Sequence, residues 1–586
     1  MQHTETGAVA DGMRIDWDVP VPMPDGVVLR ADVFRPEVPG RYPVILSMGP
    51  YAKGLAFAEG FPGGWQRLVE RFPEVVRGTS ARYACFEVVD PEKWVPDGYA
   101  CVRVDSRGAG RSPGFLDPKS EQETHDLYEC IEWAARQPWS SGKVGLNGIS
   151  YYATNQWYVA SLQPPHLAAI CVWEGAADYY RENTHHGGIL CTFHEMLYPW
   201  AVWRVQHGVG DRGLRSAVTG EPVAGPPTLP EATLLANRRD VSASVLGHAL
   251  DDAYYRDRSA KWDRITVPLL SAANWGGQGL HPRGNFEGYC SAASTQKWLE
   301  VHGDSHWTHF YTDYGVDLQK RFFGHFLKGE DTGWTAQPPV QLNVRHPDRF
   351  ELRHEQEWPL ARTRWTRYHL QPDGCTLSTE PPAGRAALTY DPLGEGLSFS
   401  TAPLEVETEI TGPVAAKLFV SSASADADLF LALRVFRPDG TEVLFQGSND
   451  PGTPIALGWL RASHRTLDRE RSMPWRPWHS HDEKQPLVPG EVVELDVEIW
   501  PTCIVVPAGH RVVLTVLGRD FDHGGPSVRF PGMTYDMTGV GPFRHDNPVD
   551  RPRETFGAPV TLHLSPDRPS HVLLPIIPTK TPGVDR

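Results

Sequence analysis

Residues 142–153 read Gly-Lys-Val-Gly-Leu-Asn-Gly-Ile-Ser-Tyr-Tyr-Ala, a short apolar stretch that enters a Gly-x-Ser turn and continues into helix-forming residues. An apolar strand turning sharply into a helix is buried most readily in a parallel sheet covered by helices. The turn also has a chemical consequence. It lifts the Ser150 hydroxyl clear of the backbone and leaves the following amide N–H, that of Tyr151, free to face an oxyanion. The same pattern also describes a serine that merely caps a helix, so the rest of the chain has to supply the partners of a nucleophile.

The flanking sequence keeps the strand–helix rhythm. Residues 14–36 alternate polar and apolar around Pro24-Asp25-Gly26, which predicts a hairpin. Residues 42–48 read as a buried strand ending at Gly49-Pro50-Tyr51, and 52–96 as a long aromatic excursion. A strand at 98–105 is followed by helical spacing over 121–137, with Leu127, Cys130, Ile131 and Ala134 on one face. After Ser150 come a helix to Leu162 and a strand at 167–173. Strands alternating with helices predict a mostly parallel sheet with right-handed crossovers.

From 179 to 263 the rhythm stops, and helical pieces at 192–209 and 240–257 flank a Pro/Gly-rich loop at 220–230, which predicts a helical insertion. The rhythm returns at 267–273 and 297–301 and closes with a helix over 317–328. Beyond Gly333-Trp334 the chain breaks into short alternating strands, among them 414–420, 428–436, 492–500 and 510–517, separated by Pro, Gly and Asp turns. These predict an all-β sandwich or jelly roll. The expected division is an α/β core at 1–178 and 264–338, a helical cap at 179–263 and a β domain at 339–586.

Composition narrows the function. At 586 residues the chain exceeds what one core can organise. A net charge of −16, with Lys and Arg scattered, excludes a phosphate-tracking surface and hence nucleic acid as a partner. No window approaches the ~20 apolar residues of a membrane span, and residues 1–12 carry no leader-like apolar run. The eight cysteines lie far apart without a Cys-x-x-Cys pair, as expected of reduced thiols in a cytoplasmic protein. His185-His186 and His194 lack a second ligand pair at zinc-like spacing and read as substrate-facing or solvated, so no metal is expected. Asp105 and Arg107 read as an ion pair holding a loop.

Three segments carry a family resemblance: Asp105-Ser-Arg-Gly, Glu132-Trp-Ala-Ala-Arg-Gln-Pro-Trp and Gly148-Ile-Ser-Tyr-Tyr-Ala. Together they resemble the cocaine esterase/α-amino-acid ester hydrolase family, with X-prolyl dipeptidyl peptidases as relatives. Lys328-Gly-Glu-Asp, Gly412-Pro-Val-Ala-Ala-Lys-Leu-Phe-Val-Ser-Ser and Pro507-Ala-Gly-His-Arg-Val extend the resemblance over nearly the whole chain. It implies an α/β-hydrolase core with an inserted helical cap and a C-terminal jelly roll.

The resemblance also implies roles. Ser150 matches the nucleophile, and His306, in His302-Gly-Asp-Ser-His-Trp, matches the general base, with His302 and His309 as neighbours that compete for the assignment. Tyr51 matches a tyrosine whose hydroxyl completes the oxyanion hole with the Tyr151 N–H. The chain departs from the family at the third triad member: Gly276, in Ala273-Asn-Trp-Gly, stands where relatives carry an aspartate. Glu174, at the end of the strand after the nucleophile's, is the substitute that keeps the chain order Ser, acid, His. Asp178 is next, and Asp304 sits too close to His306 in sequence to orient it. Trp275, Trp307, Tyr151, Tyr179, Tyr180, Trp200 and Trp203 are candidates for an apolar acyl pocket or for ordinary core.

The expected function is therefore a serine hydrolase that cleaves an ester or amide of a small acyl compound through an acyl-enzyme, without a cofactor. The alternatives are an X-prolyl dipeptidyl peptidase and a degenerate binding protein that has lost its acid. Assembly with copies of itself stays open.

Overall fold

The computed structural model describes residues 8–530 and 533–578. Its first half is built on a mixed sheet whose centre is parallel. The strands lie in the order Ala100–Asp105, Tyr42–Gly49, Ser140–Ile149, Leu167–Trp173, Leu269–Asn274, Lys297–His302 and Val340–Arg345. The hairpin Met13–Pro22/Val28–Pro36 adds to one edge antiparallel, and Phe350–Glu355 adds to the other. The central strands are buried on both faces, and Ala100–Asp105 and Leu269–Asn274 are buried at every position. Their near-continuous apolar runs have this cause.

Helices Glu121–Ala135, Tyr151–Ala160, Pro282–Ser291 and Asp313–Phe323 cover the sheet. The first begins at Ser120, whose hydroxyl caps it by accepting from the Glu123 N–H at 3.2 Å. The closing helix starts four residues before the expected 317 and gives way to a π-helical turn at Gly324–Lys328. In the stretch 179–263 the two expected helical pieces are broken into short turns, with Pro199 inside the first and Gly247 ending Val241–Gly247 in the second.

The second half is a mainly antiparallel sheet that closes on itself. Thr408–Ser422 pairs with Val493–Val506 and also with His571–Ile577, so the last strand of the order returns to the third and closes a ring, with Val560–Leu564 and Ala386–Tyr390 branching from it. Closure hides the strand edges. The interior is aliphatic, with Leu418, Leu433, Leu495, Val497, Leu514 and Val516 fully buried. The strands Val340–Arg345 and Phe350–Glu355, expected with the β-rich portion, join the first sheet instead. An alternating pattern reports a strand but not which sheet's edge it completes.

Arg345 fastens the two sheets. It is buried, with no carboxylate partner, and donates from Nε to the Cys503 carbonyl at 2.8 Å and from Nη2 to the Ile455 carbonyl and Thr502 hydroxyl at 2.8 and 2.7 Å. Burial pulls its pKa down to about 10. Arg345→Met would remove three buried hydrogen bonds across the interface, leaving the Ile455 carbonyl only its bond from the Thr502 hydroxyl, a penalty of about 3 kcal/mol or more. We expect the variant's apparent melting temperature to fall by several degrees in differential scanning fluorimetry, while an exposed control such as Arg349→Met stays at the wild-type value.

Candidate active site

The parallel strands all end at one edge of the sheet, and chemistry gathers there. Tyr51 follows Tyr42–Gly49, Ser150 follows Ser140–Ile149, Glu174 follows Leu167–Trp173, and His306 follows Lys297–His302. Ser150 sits at φ 59°, ψ −113° between its strand and helix. Its N–H donates to the carbonyls of Trp173 and Glu174 at 3.1 and 3.2 Å, which ties the turn to the neighbouring strand end. Gly148 has φ +158° and no room for a side chain, since a Cβ there would lie 2.5 Å from Tyr152 Cβ and 3.1 Å from the Glu87 carbonyl. Glu87, Ser150, Glu174 and Asp304 all adopt positive φ without being glycine. Such strain, costing about 1–3 kcal/mol per residue, is held in place by surrounding structure and gathers at functional sites.

His306 is reached from two sides. Its Nδ1 lies 2.7 Å from Glu174 Oε2 and its Nε2 lies 3.1 Å from Glu87 Oε1. Glu174 Oε1 accepts from Asn274 Nδ2 at 3.1 Å and from His302 Nε2 at 3.2 Å, and His302 Nδ1 faces Glu300 Oε2 at 2.7 Å. Both neighbours of the His302 ring are acceptors, so this ring holds both of its protons. Burial would raise the Glu174 carboxyl pKa, but His306 and His302 outweigh it and hold it well below the usual range. Burial likewise opposes charge on His306, yet Glu174 first, then Glu87, carry its pKa up to about 10. His302 is carried to about 9 against the same desolvation, by Glu300 and Glu174.

Glu87 was not foreseen. It lies in the aromatic excursion between strands, where no spacing marks it. Its backbone carbonyl accepts the Ile149 N–H at 2.9 Å, so its carboxylate is strapped beside the serine turn. Burial raises its pKa, with His306 pulling the other way. Asn274 and His302 were equally unmarked as supports for the acid.

Ser150, His306, Tyr51 and Glu87 line one small cavity of about 40 Å³ together with His281, Phe86, Trp200 and Trp307. His281 stacks flat on His306, ring centroids 5.1 Å apart. Burial, then the Glu87 charge, holds the Tyr51 phenol well above its ordinary pKa, so it remains a proton donor. Tyr151 opens the helix after the serine, where the N–H groups have no intrahelical acceptor. Its side chain points elsewhere, donating to Glu123 Oε2 at 2.5 Å. Met196, Trp200, Trp307 and Phe530 are shared with an adjoining cavity of about 590 Å³ that Phe61 and Arg204 also line.

The other candidates are occupied elsewhere. Asp178 accepts from the Arg181 N–H and pairs with the Arg181 guanidinium, and Asp304 pairs with Arg71. Gly276 is where the β-rich half presses in: a Cβ there would come within 2.6 Å of the Gln446 carbonyl and 2.8 Å of Gly447 Cα. An aspartate has no space at this position. Of the candidate pocket aromatics, Trp200 and Trp307 line the cavities. Trp275 packs with Phe286 and Trp358, Tyr179 and Tyr180 pack with Tyr255, and Trp203 lies under Arg238.

Two further expectations are corrected. Asp105 does not pair with Arg107. Its carboxylate accepts the Lys53 and Arg111 N–H groups at 2.6 and 2.8 Å, while Arg107 pairs with Asp126 and Asp25. Gly110, which has no space for a Cβ, lets the loop fold over Asp105. His185, His186 and His194 are buried, neither solvated nor lining the cavity, because their segment is inserted against the β-rich half. All eight cysteines are unpaired, and most are buried. Among the described residues no helix is long and apolar enough to cross a membrane.

Comparison with known proteins places this geometry. Residues 25–311 match the family described as X-Pro dipeptidyl-peptidase (S15 family), and 332–573 match the X-Pro dipeptidyl-peptidase C-terminal non-catalytic domain. The chain is 26% identical to the cocaine esterase of Rhodococcus sp. (strain MB1 Bresler), over 96% of this chain and 98% of that one. It is also 26% identical to a putative serine esterase of Mycobacterium bovis, over 86% and 90%. A crystal structure of a CocE/NonD family hydrolase from Staphylococcus aureus superposes with a TM-score of 0.82 at 32% identity, over 96% of this chain and 94% of that one. An α-amino-acid ester hydrolase, at 18% identity, shares the fold with a TM-score of 0.67. With these likenesses spanning both halves, the chain is a serine hydrolase and belongs to the CocE/NonD family.

Proposed function

We propose that Ser150, His306 and Glu174 form the catalytic triad of a hydrolase for esters or amides of small acyl compounds. One observation carries the reading: Glu174 holds His306 Nδ1 at 2.7 Å, and the His306 ring, whose Nε2 rests on Glu87 at 3.1 Å, lines the same cavity as Ser150. His306 takes the proton of the Ser150 hydroxyl as Oγ attacks the carbonyl carbon, then returns it to the leaving group. The Tyr51 hydroxyl and the Tyr151 N–H donate to the tetrahedral oxyanion. Water releases the acyl group by the same steps in reverse order of partners. The apolar cavity of about 590 Å³ beside the serine suits an aromatic or branched portion of the substrate. The mixed sheet and its serine turn support an α/β-hydrolase core interrupted by a cap at about 179–263, and the closed antiparallel half supports a jelly-roll domain.

A phosphonate serine probe should label wild type on the peptide containing Ser150 and leave Ser150→Ala unlabelled. On a short-chain aryl ester Ser150→Ala should lose about 10⁵-fold or more in kcat, Glu174→Gln about 10³–10⁴-fold, and Tyr51→Phe about 10²-fold. Near-normal turnover by Glu174→Gln would move the acid elsewhere. Absence of labelling in the folded wild type would make the site a binding pocket.

Glu87 gives the reaction a pH signature. His306 must be neutral, with Nε2 turned from Glu87 to Ser150, before it can act as a base. Two flanking carboxylates favour the imidazolium, so turnover should rise with pH through the alkaline range as His306 loses its proton. Removing the Glu87 charge lowers the His306 pKa, and the acid limb of the kcat/KM profile for Glu87→Gln should move down by about one pH unit or more. An unmoved limb would mean that Glu87 leaves His306 before substrate binds.

A second reading, release of X-prolyl dipeptides, is favoured by the same residue. A buried carboxylate facing the cavity can exchange its partner His306 for a substrate ammonium group. Relatives of this chain include a putative Xaa-Pro dipeptidyl-peptidase of Streptomyces avermitilis, 24% identical over 76% of this chain and 70% of that one. Comparing an X-Pro chromogenic amide with its N-acetylated form separates the readings. Cleavage of the free amine alone indicates the peptidase, and equal cleavage of both indicates the esterase.

A further inference from the structure

Behind the wall of the substrate cavity, three side chains from distant parts of the chain converge. His186 comes from the small hairpin His185–His186/Ile189–Leu190, Cys191 follows that hairpin, and His545 comes from the β-rich half, 359 residues from His186. All three are buried. One ring nitrogen of His186, one of His545 and the Cys191 Sγ lie within 4.8 Å of one another.

The outer hydrogen bonds decide what the facing atoms present. His186 Nε2 lies 3.2 Å from the Glu182 carbonyl, which can only accept, so that nitrogen carries the ring proton. His545 Nδ1 lies 2.7 Å from Asp520 Oδ1, another acceptor, so its proton sits there. The two remaining nitrogens, His186 Nδ1 and His545 Nε2, are 2.8 Å apart, and in neutral rings both present lone pairs. Two lone pairs at this distance inside a protein need a positive centre between them. One added proton would serve the nitrogens alone. It would leave the Cys191 sulfur, which faces the Phe193 N–H, outside the shared charge.

We propose that His186, Cys191 and His545 bind a zinc-type ion that pins the inserted hairpin to the β-rich domain. Tetrahedral zinc takes imidazole nitrogen at ~2.0 Å and thiolate sulfur at ~2.3 Å, which puts two nitrogens ~3.3 Å apart. The rings therefore separate by about half an ångström on binding. Binding forms the Zn–S bond as the Cys191 thiol proton leaves to solvent, and the thiolate and the Asp520 carboxylate balance the double charge. Each imidazole ligand donates its second N–H to an oxygen, the outer shell that fixes ring orientation and strengthens the ligand.

The surroundings hold the hairpin rigidly. Gly187 (φ +55°) presses on the Trp459 carbonyl and accepts the Arg461 N–H at 2.8 Å, and the Leu190 N–H donates to Asp550 Oδ2 at 3.1 Å. Two residues past Cys191 stands Phe193 and two residues before His545 stands Phe543, and both line the cavity of Ser150. The ion would thus also fix that wall.

The test is metal analysis of the full-length protein purified without an affinity tag. Wild type from zinc-supplemented medium should carry about one zinc per chain by plasma mass spectrometry, and Cys191→Ser and His545→Gln much less. Protein produced in cobalt medium should show thiolate-to-cobalt charge-transfer absorption in the near ultraviolet, absent in Cys191→Ser. Because either variant could fail to fold, wild type is also stripped with chelator under mild denaturant, refolded and titrated with zinc sulfate. Stoichiometric uptake with a higher melting temperature and loss of Cys191 alkylation supports the site. No uptake by the refolded wild type, or zinc retained in full by both variants, overturns it and leaves a proton shared between the two imidazoles.

Discussion

The sheet end at which the proposed triad gathers depends on one negative charge buried where charge is expensive. Glu174 has no exposure to water, and its ionised form is stable only because three donors converge on it: His306 Nδ1, His302 Nε2 and Asn274 Nδ2. The arrangement continues as an alternating row, Glu300–His302–Glu174–His306–Glu87, in which each imidazole lies between two carboxylates. Each member lowers the desolvation penalty of the next, so the row behaves as one coupled unit. Its far end is the one that matters chemically. His306 Nε2 faces Glu87, and in the proposed mechanism it must turn to Ser150, so a competitor for that nitrogen bears on the protonation state from which the reaction starts.

The position of the acid follows from how the two halves of the chain meet. Relatives were expected to carry an aspartate where this chain has Gly276. Here the loop at 446–448 lies against that glycine, with Ser448 N–H donating to the Gly276 carbonyl at 2.9 Å and the Ser448 carbonyl accepting the His306 N–H at 3.0 Å. The loop therefore occupies the space of a side chain at 276 while positioning the backbone of the histidine. With that side closed, a carboxylate can reach His306 Nδ1 from the end of the adjacent strand, and Glu174 stands there in a left-handed backbone conformation that turns it inward. Asn274 keeps a polar contact from the vacated strand, bonding both Glu174 and the Asp304 carbonyl.

What could be read from the sequence was set by short-range physics. The strand–turn–helix around Ser150 and the hairpin around Pro24-Asp25-Gly26 each lie within a few residues, so local pattern suffices. Ser150, His306, Tyr51 and Glu174 could be named because sharp strand ends and family pattern mark them. Glu87 could not, because its value comes from a backbone hydrogen bond to Ile149, sixty-two positions away, and from a positive φ that no glycine announces. The pairing of His186 with His545 has the same character: two unremarkable histidines become a cluster only after a closed sheet is docked on the first half. Misplaced strands at 340–355 are the converse case, in which pattern reports the element and long-range pairing decides its sheet.

The β-rich half is consequently part of the working site as well as a covering. Ser448, Asn449, Phe530, Pro542 and Phe543 line the same cavity as Ser150, although the proposed nucleophile, acid and base all come from the first half. Arg345 and Arg283 hold the halves together by buried hydrogen bonds, the latter joining Glu182 of the inserted segment to Glu498 of the closed sheet at 3.0 and 2.9 Å. A rigid joint of this kind matters because a displacement of about 1 Å at a reacting group can cost ~10²-fold in rate. The machinery of bond cleavage can then stay constant on the strand ends of the first sheet while the facing loops of the second set the shape of the acyl pocket. On the proposed mechanism, variation at 448–449 and at 542–543 would alter substrate choice without touching the charge row beside Ser150.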